Sequence, residues 1–369
     1  MKRVFAAIAL VLICTSQVAS AASVRVGTWN LMRLGESEPK SYEAIAAVAG
    51  TVDLLAVQEV MNDQGLAKLE AAIEARTREP WSVISSSPAG SARYKERYAF
   101  LTRDSVVRYE DGAVSYLDRK RVFIREPFSA RFRTAGGDTL VVGTVHILYG
   151  QSELDRVPEV RELGRYWSWL EEIYPGEQLV LVGDFNLPPN HPAFGELRQK
   201  ARPMITGGAT TLSPNGGFAS LFDNVFVARD TRLSITSAGV VNYPAMLKIN
   251  HKQARAYVSD HAPIFILLGG SRFAPGVQLI PRGASPRQTQ QASGSAPAGF
   301  NQVAGIAKGL LASSTTKDGS APVHANRNSG VYHLQNCPYY EQISRRNLVV
   351  YAGEAEAQSA GYRKAGNCP

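Results

Sequence analysis

Cysteine is scarce in this chain of 369 residues: there are three, and the first of them lies in the apolar segment at the start. The two that remain are too few for a disulfide-dense scaffold. After the first segment the sequence has no apolar run long enough to span a bilayer, which excludes a multi-span membrane protein. The glycine-rich patterns of nucleotide-binding loops and the G-x-S-x-G elbow of serine hydrolases are also absent, so neither class of site is indicated.

The composition is that of a globular protein with affinity for anions. Apolar residues make up 44% of the chain and charged residues 20%, a balance that allows a substantial buried core. The 40 lysines and arginines exceed the 32 acidic residues, and the net charge of +8 favours polyanionic partners such as nucleic acids. The length gives room for one large domain with a small one, or for two of medium size.

The first residues have the pattern of an export signal. Two basic residues precede the apolar run Val4 to Cys14, and small residues follow at Val18 to Ala21. This pattern predicts a signal peptide over residues 1–21, and therefore a secreted or periplasmic protein without stable membrane association. Ile13 stands where a lipoprotein signal has a small residue, which argues against a lipid anchor on the cysteine that follows it.

Composition divides the rest of the chain into three segments. Over residues 22–270, short apolar strands alternate with helices, as in an α/β domain. Residues 271–323 are rich in Gly, Ser, Ala, Pro and Gln, which predicts a flexible linker because such a segment cannot bury enough apolar surface to fold. Residues 324–369 regain Tyr, Val, Leu and the last two cysteines, and we expect a small C-terminal α+β module there.

Polar residues stand repeatedly where an apolar strand ends. They are Asn30, Glu59, His146, Asp184, Asn186, Asp223 and the pair Asp260-His261. Side chains at strand ends converge on one edge of a sheet, where α/β folds build their sites. Carboxylate and amide oxygens suit Mg²⁺, Mn²⁺ or Ca²⁺ better than zinc. A site that combines such an ion with histidines able to transfer protons near neutral pH is suited to the hydrolysis of phosphodiesters.

Eight short motifs follow one another along the chain. They are Thr28-Trp29-Asn30, Gln58-Glu59-Val60, Tyr94 to Tyr98, Arg125-Glu126-Pro127, His146, Gly183-Asp184-Phe185-Asn186, Asp223-Asn224 and Ser259-Asp260-His261. With these motifs in this order, the segment Val24 to Leu268 resembles the endonuclease/exonuclease/phosphatase superfamily, and within it the deoxyribonuclease I-like family. The resemblance implies the fold class α/β, as a four-layered α/β/β/α sandwich.

The resemblance also implies which residues bind metal. Glu59 would be the principal metal-binding carboxylate, with Asn30 and Asp260 close to the same ion. Asp184 would help to hold a metal, and together with Asn186 it would orient the scissile phosphate.

Two imidazoles would then transfer the protons. The resemblance implies that His261, steadied by Asp223, activates water. It implies that His146, with Glu96 as its partner, protonates the leaving oxygen. A buried carboxylate behind each imidazole would fix its tautomer and raise its basicity. Substrate contacts are implied for Tyr94, Arg125 and Asn186.

The expected protein is a secreted endonuclease that depends on Mg²⁺, or on Mn²⁺ or Ca²⁺, and hydrolyses DNA as a monomer, with RNA as a further substrate. Two alternatives stay open. One is a phosphodiesterase or phosphatase of the same superfamily that acts on lipid or inositol phosphates, and the other is a DNA-binding relative that has lost its chemistry. Met61 stands where the deoxyribonuclease I-like family has an arginine that enters the minor groove, which leaves the preference for double or single strands open.

The C-terminal module allows two kinds of cross-link. His333, Cys337 and Cys368 resemble three of the four ligands of the Ada-like zinc-binding module, and Ala365 occupies the fourth position. In an oxidising compartment the two cysteines could instead form a disulfide. Zn²⁺ at these three residues and a disulfide between the cysteines therefore remain alternatives.

Overall fold

The computed structural model describes residues 23–36 and 40–280, and in the C-terminal part residues 322–326, 330–335, 337, 340, 343, 347–365 and 368. The predicted signal peptide and most of the predicted linker lie outside the described residues. Within the described ranges, no helix is both long and apolar enough to cross a membrane.

Short strands and helices alternate along the large domain, residues 23–280. Its described strands are β1 (Val24–Leu34), β2 (Leu54–Val60), β3 (Trp81–Ser85), β4 (Ala89–Gly90), β5 (Lys95–Arg103), β6 (Val107–Ser115), β7 (Phe128–Thr134), β8 (Thr139–His146), β9 (Leu179–Asp184), β10 (Ala201–Pro203), β11 (Asp223–Ala228), β12 (Ile235–Val240) and β13 (Ile264–Leu268). Its described helices are α1 (Tyr42–Ala49), α2 (Asp63–Thr77), α3 (Val157–Ile173), α4 (Gly195–Lys200), α5 (Tyr243–Leu247) and α6 (His251–Tyr257), with 3₁₀ turns at Glu153–Asp155 and Pro192–Phe194.

These strands form two sheets. The first has the order β12-β13-β1-β2-β5-β3, with β4 paired to β5, and the second has the order β10-β11-β9-β8-β7-β6. Strands β1 and β2 run parallel in the first sheet, and β8 and β9 run parallel in the second. Strands β13 and β11 are antiparallel to their neighbours β1 and β9. In each sheet, the ends of two parallel strands therefore lie beside the beginning of an antiparallel one.

Alternation along the strands explains how the layers stack. In β9, Val180 and Val182 belong to the core that both sheets share, whereas Leu179 and Leu181 belong to a second core that includes Leu163 of α3. Helices α1 and α2 accordingly cover the first sheet, and α3 and α4 cover the second. The order helix, sheet, sheet, helix confirms the expected four-layered α/β/β/α sandwich.

An ion-paired network ties three strands of the first sheet together at the end where β2 begins. Asp53, which is 1% exposed, accepts hydrogen bonds from the Arg25 backbone N at 2.9 Å and Nε at 2.8 Å. It also accepts one from Nε of Arg103 at 3.1 Å. Because the two arginines belong to β1 and β5, this single carboxylate links both neighbours of β2.

The large domain extends beyond the boundary that composition indicates. Residues 271–280 fall in the predicted linker, yet Phe273 packs edge-on against Phe265 with the ring centroids 4.5 Å apart. Ile280 is 7% exposed, and its N–H donates to the carbonyl of Val240 at 2.9 Å. Apolar residues of this segment thus attach it to β12 and β13, and the domain ends at residue 280 or later, not at 270.

The C-terminal module is small and contains both strands and a helix, as expected. Its described elements are β14 (Val323–Asn326), β15 (Val331–His333), β16 (Leu348–Tyr351), β17 (Arg363–Lys364) and α7 (Glu354–Ser359). The strands form a sheet of order β16-β14-β15-β17 around a core of Val323, Ala325, Tyr332 and Ala357. Strand β14 begins at Val323, which the sequence analysis placed in the linker.

A disulfide joins Cys337 and Cys368, with an S–S distance of 1.99 Å. His333 lies close by, with Nδ1 4.0 Å from Sγ of Cys368. Zinc binds cysteine as the thiolate, and both sulfurs are committed to the disulfide. The structure therefore favours the disulfide of the two alternatives, and in this oxidised form the three residues do not fit a zinc site.

Candidate active site

Strand register in the second sheet brings three of the polar strand-end residues side by side. His146 is the last residue of β8 and pairs with Asp184, the last residue of β9. Asp184 in turn pairs with Asp223, the first residue of the antiparallel strand β11. The three side chains therefore stand in one row across the edge of the sheet.

The first sheet supplies the opposite side of the site. Asn30 of β1 pairs with Gln58 of β2, so that Glu59 follows directly at the same edge. Glu96 lies near the start of β5, and His261 precedes β13. Glu59 has a positive φ of 58°, and a non-glycine residue in that conformation is one of the strains that active sites tend to hold.

His146 is fixed on the side of its Nδ1 atom. Nδ1 lies 2.7 Å from Oε1 of Glu96, which is buried. Behind this pair, Nε of Arg125 donates to the His146 carbonyl at 3.0 Å, and its Nη1 lies 3.8 Å from Oε2 of Glu96. Burial and Arg125 lower the pKa of His146, but the charge and hydrogen bond of Glu96, with Asp184 adding to them, leave the pKa above its ordinary value.

His261 is fixed in the same way by a different carboxylate. Its Nδ1 lies 2.9 Å from Oδ2 of the buried Asp223. The backbone N–H of His261 donates to Oγ of Ser259 at 3.0 Å, and that hydroxyl donates to the Asn30 carbonyl at 2.6 Å. Burial lowers the pKa of His261, yet the Asp223 and Asp184 carboxylates outweigh burial and raise it well above its ordinary value.

The two imidazoles converge on one oxygen atom. Nε2 of His146 and Nε2 of His261 each lie 3.6 Å from Oδ2 of Asp184. The other oxygen of Asp184 accepts the backbone N–H of Asn186 at 3.0 Å, and Nδ2 of Asn186 donates to the Ile147 carbonyl at 2.8 Å. Because each Nδ1 is held from behind, both rings have only Nε2 left for exchanging a proton with a group in the cleft.

A second cluster of oxygen atoms adjoins the imidazoles. Nδ2 of Asn30 donates to Oε1 of Glu59 at 2.9 Å and to Oδ2 of Asp184 at 3.1 Å, so one amide joins the two carboxylates. Oε2 of Glu59 accepts the Arg33 backbone N–H at 3.0 Å and the Tyr94 hydroxyl at 3.3 Å. The carboxylate oxygens of this cluster are potential metal ligands of the kind that hard divalent cations prefer.

The charge balance of the site also fits a bound cation. Four carboxylates, those of Glu59, Glu96, Asp184 and Asp223, contact the imidazoles. The cations near them are Arg125, which lies beside Glu96, and Arg33, whose charge interacts with Glu59, and each imidazole adds a positive charge only when it is protonated. With both imidazoles neutral, the four carboxylates outnumber these two arginines and the site is anionic. An anionic substrate would be repelled unless a cation such as Mg²⁺ entered with it.

Two of the predicted site residues make contacts that differ from their predicted roles in metal and substrate binding. The Asp260 carboxylate pairs with Nη2 of Arg255 at 3.5 Å, so its place beside the ion of Glu59 stays a prediction. Arg125 is only 6% exposed and lies behind His146, where it orients the imidazole and its carboxylate. Its contact with substrate also stays a prediction.

Some residues that support the site carried no predicted role. The Tyr98 hydroxyl accepts the backbone N–H of His146 at 3.0 Å, and Oγ1 of Thr210 accepts that of Asp223 at 3.1 Å. Tyr98 and Ser259 stand inside two of the motifs, and that position was the only signal for them. Nothing in the sequence around Thr210 pointed to the site.

Comparison with known proteins agrees with this geometry. The sequence model of the family described as Endonuclease/Exonuclease/phosphatase family matches residues 27–261 of this chain. This range runs from just before Asn30 to His261. The chain belongs to this family.

Several relatives of this family member are known. A deoxyribonuclease from Thioalkalivibrio sp. (strain K90mix) is 42% identical over 276 residues, which cover 72% of this chain and 76% of the relative. Human deoxyribonuclease-1-like 2 is 33% identical over 291 residues, which cover 68% of this chain and 94% of the relative. Among solved structures, an endonuclease/exonuclease/phosphatase family protein from Bacteroides thetaiotaomicron superposes on this chain with a TM-score of 0.51 at 16% sequence identity. The match covers 67% of this chain and 98% of that one, and it shows a likeness of fold alone.

Proposed function

We propose that this protein is an exported, divalent-metal-dependent endonuclease that hydrolyses phosphodiester bonds of DNA, with RNA as a further substrate. One observation carries the proposal: the Nε2 atoms of His146 and His261 lie close to the same oxygen of Asp184, at 3.6 Å each. Two proton carriers that converge in this way suit a reaction that takes a proton from water and gives one to a leaving oxygen. The names of the relatives and the net charge of +8 support DNA as the polyanion.

The two imidazoles divide the proton transfers. His261, held by Asp223 through Nδ1, removes a proton from the attacking water at Nε2. His146, held by Glu96, delivers the proton on its Nε2 to the departing 3′ oxygen. Asn186, which is locked to Asp184 and to the Ile147 carbonyl, orients the phosphate between them.

Glu59, Asn30 and Asp184 are the residues that would hold the cation, with Asp260 as an additional acidic group beyond His261. When bound, a hard divalent ion supplies charge stabilisation to the phosphate in the transition state. The amide nitrogen of Asn30 positions the Glu59 and Asp184 carboxylates by donating to both, while its Oδ1 accepts the backbone N–H of Met32.

A plasmid-nicking assay tests the proposal. The purified mature protein should convert supercoiled DNA to nicked and then linear forms with Mg²⁺, Mn²⁺ or Ca²⁺, lose this activity in EDTA, and regain it when metal is restored. His146→Ala, prepared in parallel, controls for contaminating nucleases. Cleavage that persists in EDTA would contradict metal dependence. Release of phosphate from lipid or inositol phosphates, with intact plasmid and RNA, would favour the lipid or inositol alternative instead.

Export is proposed on the signal pattern of residues 1–21. Mass spectrometry of protein recovered from the periplasm or the medium should find an N-terminus near Ala22. A retained Met1, or a lipid on Cys14, would contradict it.

A further inference from the structure

An exposed aromatic ring stands at the rim of the candidate site. Tyr149 follows His146 by three residues and is 58% exposed. Trp29 and Tyr98 are fully buried in the core, and Tyr94, whose hydroxyl bonds to Glu59, is only partly exposed. Neither the acid–base pairs nor the oxygen cluster uses Tyr149.

The ring is held in place from below by Arg156. The guanidinium carbon of Arg156 lies 4.2 Å from the centroid of the Tyr149 ring, over its face. Nε of Arg156 donates to the Tyr149 carbonyl at 2.8 Å, and its Nη1 donates to the carbonyl of Asn186 at 2.7 Å. Arg156 is itself 8% exposed, so the ring rests on a buried cation and not on a mobile one.

The same cluster joins Tyr149 to the residues of the reaction. The ring of Phe222 lies 6.4 Å from that of Tyr149 and 5.5 Å from the Arg156 guanidinium. Phe222 directly precedes Asp223, and the Phe222 carbonyl accepts the N–H of Phe185 at 2.9 Å. Tyr149 is therefore fixed relative to the segments that carry His146, Asn186 and Asp223, and one large part of its surface faces solvent beside them.

We propose that Tyr149 is a stacking platform for an unpaired base of the nucleic-acid strand next to the scissile phosphate. The inference rests on the proposed function and names the form of substrate that the site prefers. A ring that is already ordered loses little entropy when a base stacks on it, and every base offers a flat face to such a ring. Bases inside a duplex have both faces covered by their neighbours, so only an unpaired or frayed base can use the platform. Tyr149 thus makes the enzyme prefer single-stranded or locally open substrate.

The alternative is that Tyr149 only shields Arg156. If Tyr149 only shields Arg156, its loss should lower activity equally on substrates with and without bases. If it stacks on a base, its loss should lower activity only on substrates that have that base. This difference decides the experiment.

The experiment uses the full mature protein and a single-stranded oligodeoxynucleotide in which one phosphodiester is cleavable and all other linkages are phosphorothioates. A matched oligonucleotide has abasic sugars on both sides of that phosphodiester. Values of kcat and KM with Mg²⁺ are measured for the wild type, Tyr149→Ala, Tyr149→Phe and Leu154→Ala. Leu154 is the control, because it is 78% exposed on the segment that follows Tyr149 and lacks a π face.

In the wild type, removal of the bases should lower kcat/KM about 5- to 150-fold, the range expected for one stacked base. Tyr149→Ala should abolish this discrimination by losing activity on the normal strand alone, while Tyr149→Phe and Leu154→Ala keep it. A hairpin duplex around the same phosphodiester should be cut equally by the wild type and Tyr149→Ala. Equal losses on normal and abasic strands would assign Tyr149 to shielding Arg156 and overturn the proposal.

Fluorescence anisotropy in Mg²⁺, with both oligonucleotides made fully of phosphorothioates so that they are not cut, separates this inference from the nuclease proposal. If the wild type binds the normal strand more tightly than the abasic one, and Tyr149→Ala does not, the platform stands even where no cleavage is found. If cleavage proceeds but neither assay distinguishes normal from abasic strands, the platform is wrong and the nuclease proposal survives.

Discussion

The two buried carboxylates of the site differ in what else they contact besides their imidazoles. Glu96 is shared between His146 and Arg125, whereas Asp223 pairs with His261 and its backbone N–H donates to Oγ1 of Thr210. Arg125 thereby withdraws part of the negative charge that would otherwise stabilise protonated His146. The pKa of His261 is raised well above its ordinary value, while Arg125 counteracts the rise at His146. Because a raised pKa keeps an imidazole in its acid form at neutral pH, these shifts do not assign the two roles, and His261 as the base and His146 as the acid is the assignment that the family resemblance implies.

Replacement of either imidazole should abolish turnover without unfolding the protein. His146→Ala and His261→Ala should each lower the rate of plasmid cleavage by about 10²–10⁴-fold, the value of one general acid or base. Because both act in one reaction, the double variant should lose less than the product of the single losses. His191→Ala is the matched control, since His191 pairs with Glu153 and caps a 3₁₀ turn outside the site. Near-wild-type cleavage by both single variants, with matching circular dichroism, would refute the assignment.

The charge of Glu96 should set the alkaline limit of activity. Glu96→Gln leaves an oxygen to accept the Nδ1–H of His146 but removes the charge that raises its pKa. The pKa of His146 should fall, so its acid form is lost at lower pH and the alkaline limb of the kcat profile should move to lower pH. Glu162→Gln, on a buried glutamate that pairs with Arg165 in α3, should leave the profile unchanged. An alkaline limb that stays in place or moves up would mean that another group sets it.

At the scale of the site, the sequence could name the residues and the carboxylate behind each imidazole, but not the oxygen atom on which the two imidazoles converge. Strand ends and the family resemblance brought out His146, His261 and their carboxylates, because each motif lies within a few residues. The approach of both imidazoles to one oxygen of Asp184 depends on the register between β8, β9 and β11. These strands are distant in sequence, so local motifs cannot predict their register. Thr210 could not be found because its hydroxyl reaches Asp223 from a loop without strand or helix periodicity.

Individual elements followed their sequence patterns where apolar periodicity was strong. Helix α2 buries Leu66, Leu69 and Ile73 on one face, as their spacing predicts, and Asn62 caps its start. Strand β1 differs, because it was expected to end at Asn30 and continues to Leu34. Met32 and Arg33 adopt positive φ angles of 46° and 59° in that extension. There the Met32 N–H donates to Oδ1 of Asn30 and the Arg33 N–H donates to Oε2 of Glu59, contacts that composition cannot indicate.

The Asp53 network predicts a large effect on stability and none on chemistry. Asp53→Asn should lower the free energy of unfolding by about 3 kcal/mol, because it removes the charge that compensates Arg25 and the nearly buried Arg103. Activity per folded molecule should be unchanged, since the network lies where β2 begins and the site where it ends. Asp63→Asn is the control: that carboxylate also pairs with an arginine but is 72% exposed, so the cost should stay below about 1 kcal/mol. Urea unfolding measures both, and equal midpoints for the two variants would refute the prediction.

At the scale of the whole molecule, composition separated two folded parts but misplaced the boundary of each. The segment after Leu268 lacks a continuous apolar pattern, so its anchoring residues were not recognisable as part of the core. Phe273 and Ile280 find their partners on β13 and β12, which only the tertiary structure brings within reach. Likewise, β14 begins at Val323, where four residues are too few to show a period. Sparse contacts of this kind are invisible to composition.

The end of the large domain leads to a prediction about truncation. A chain ending at Gly270 loses Phe273, the β-bridge between Val241 and Leu279, and Ile280. Burial of Ile280 alone is worth about 1.5–3 kcal/mol, so this chain should unfold at a clearly lower urea concentration than one ending at Ile280. Both should keep the catalytic set and cleave plasmid DNA when folded, because every residue of that set precedes Leu268. The comparison requires cooperative unfolding curves and cleavage rates for the two chains side by side. Coincident curves would show that residues 271–280 add nothing to the fold, and that the large domain is complete at the boundary composition indicated.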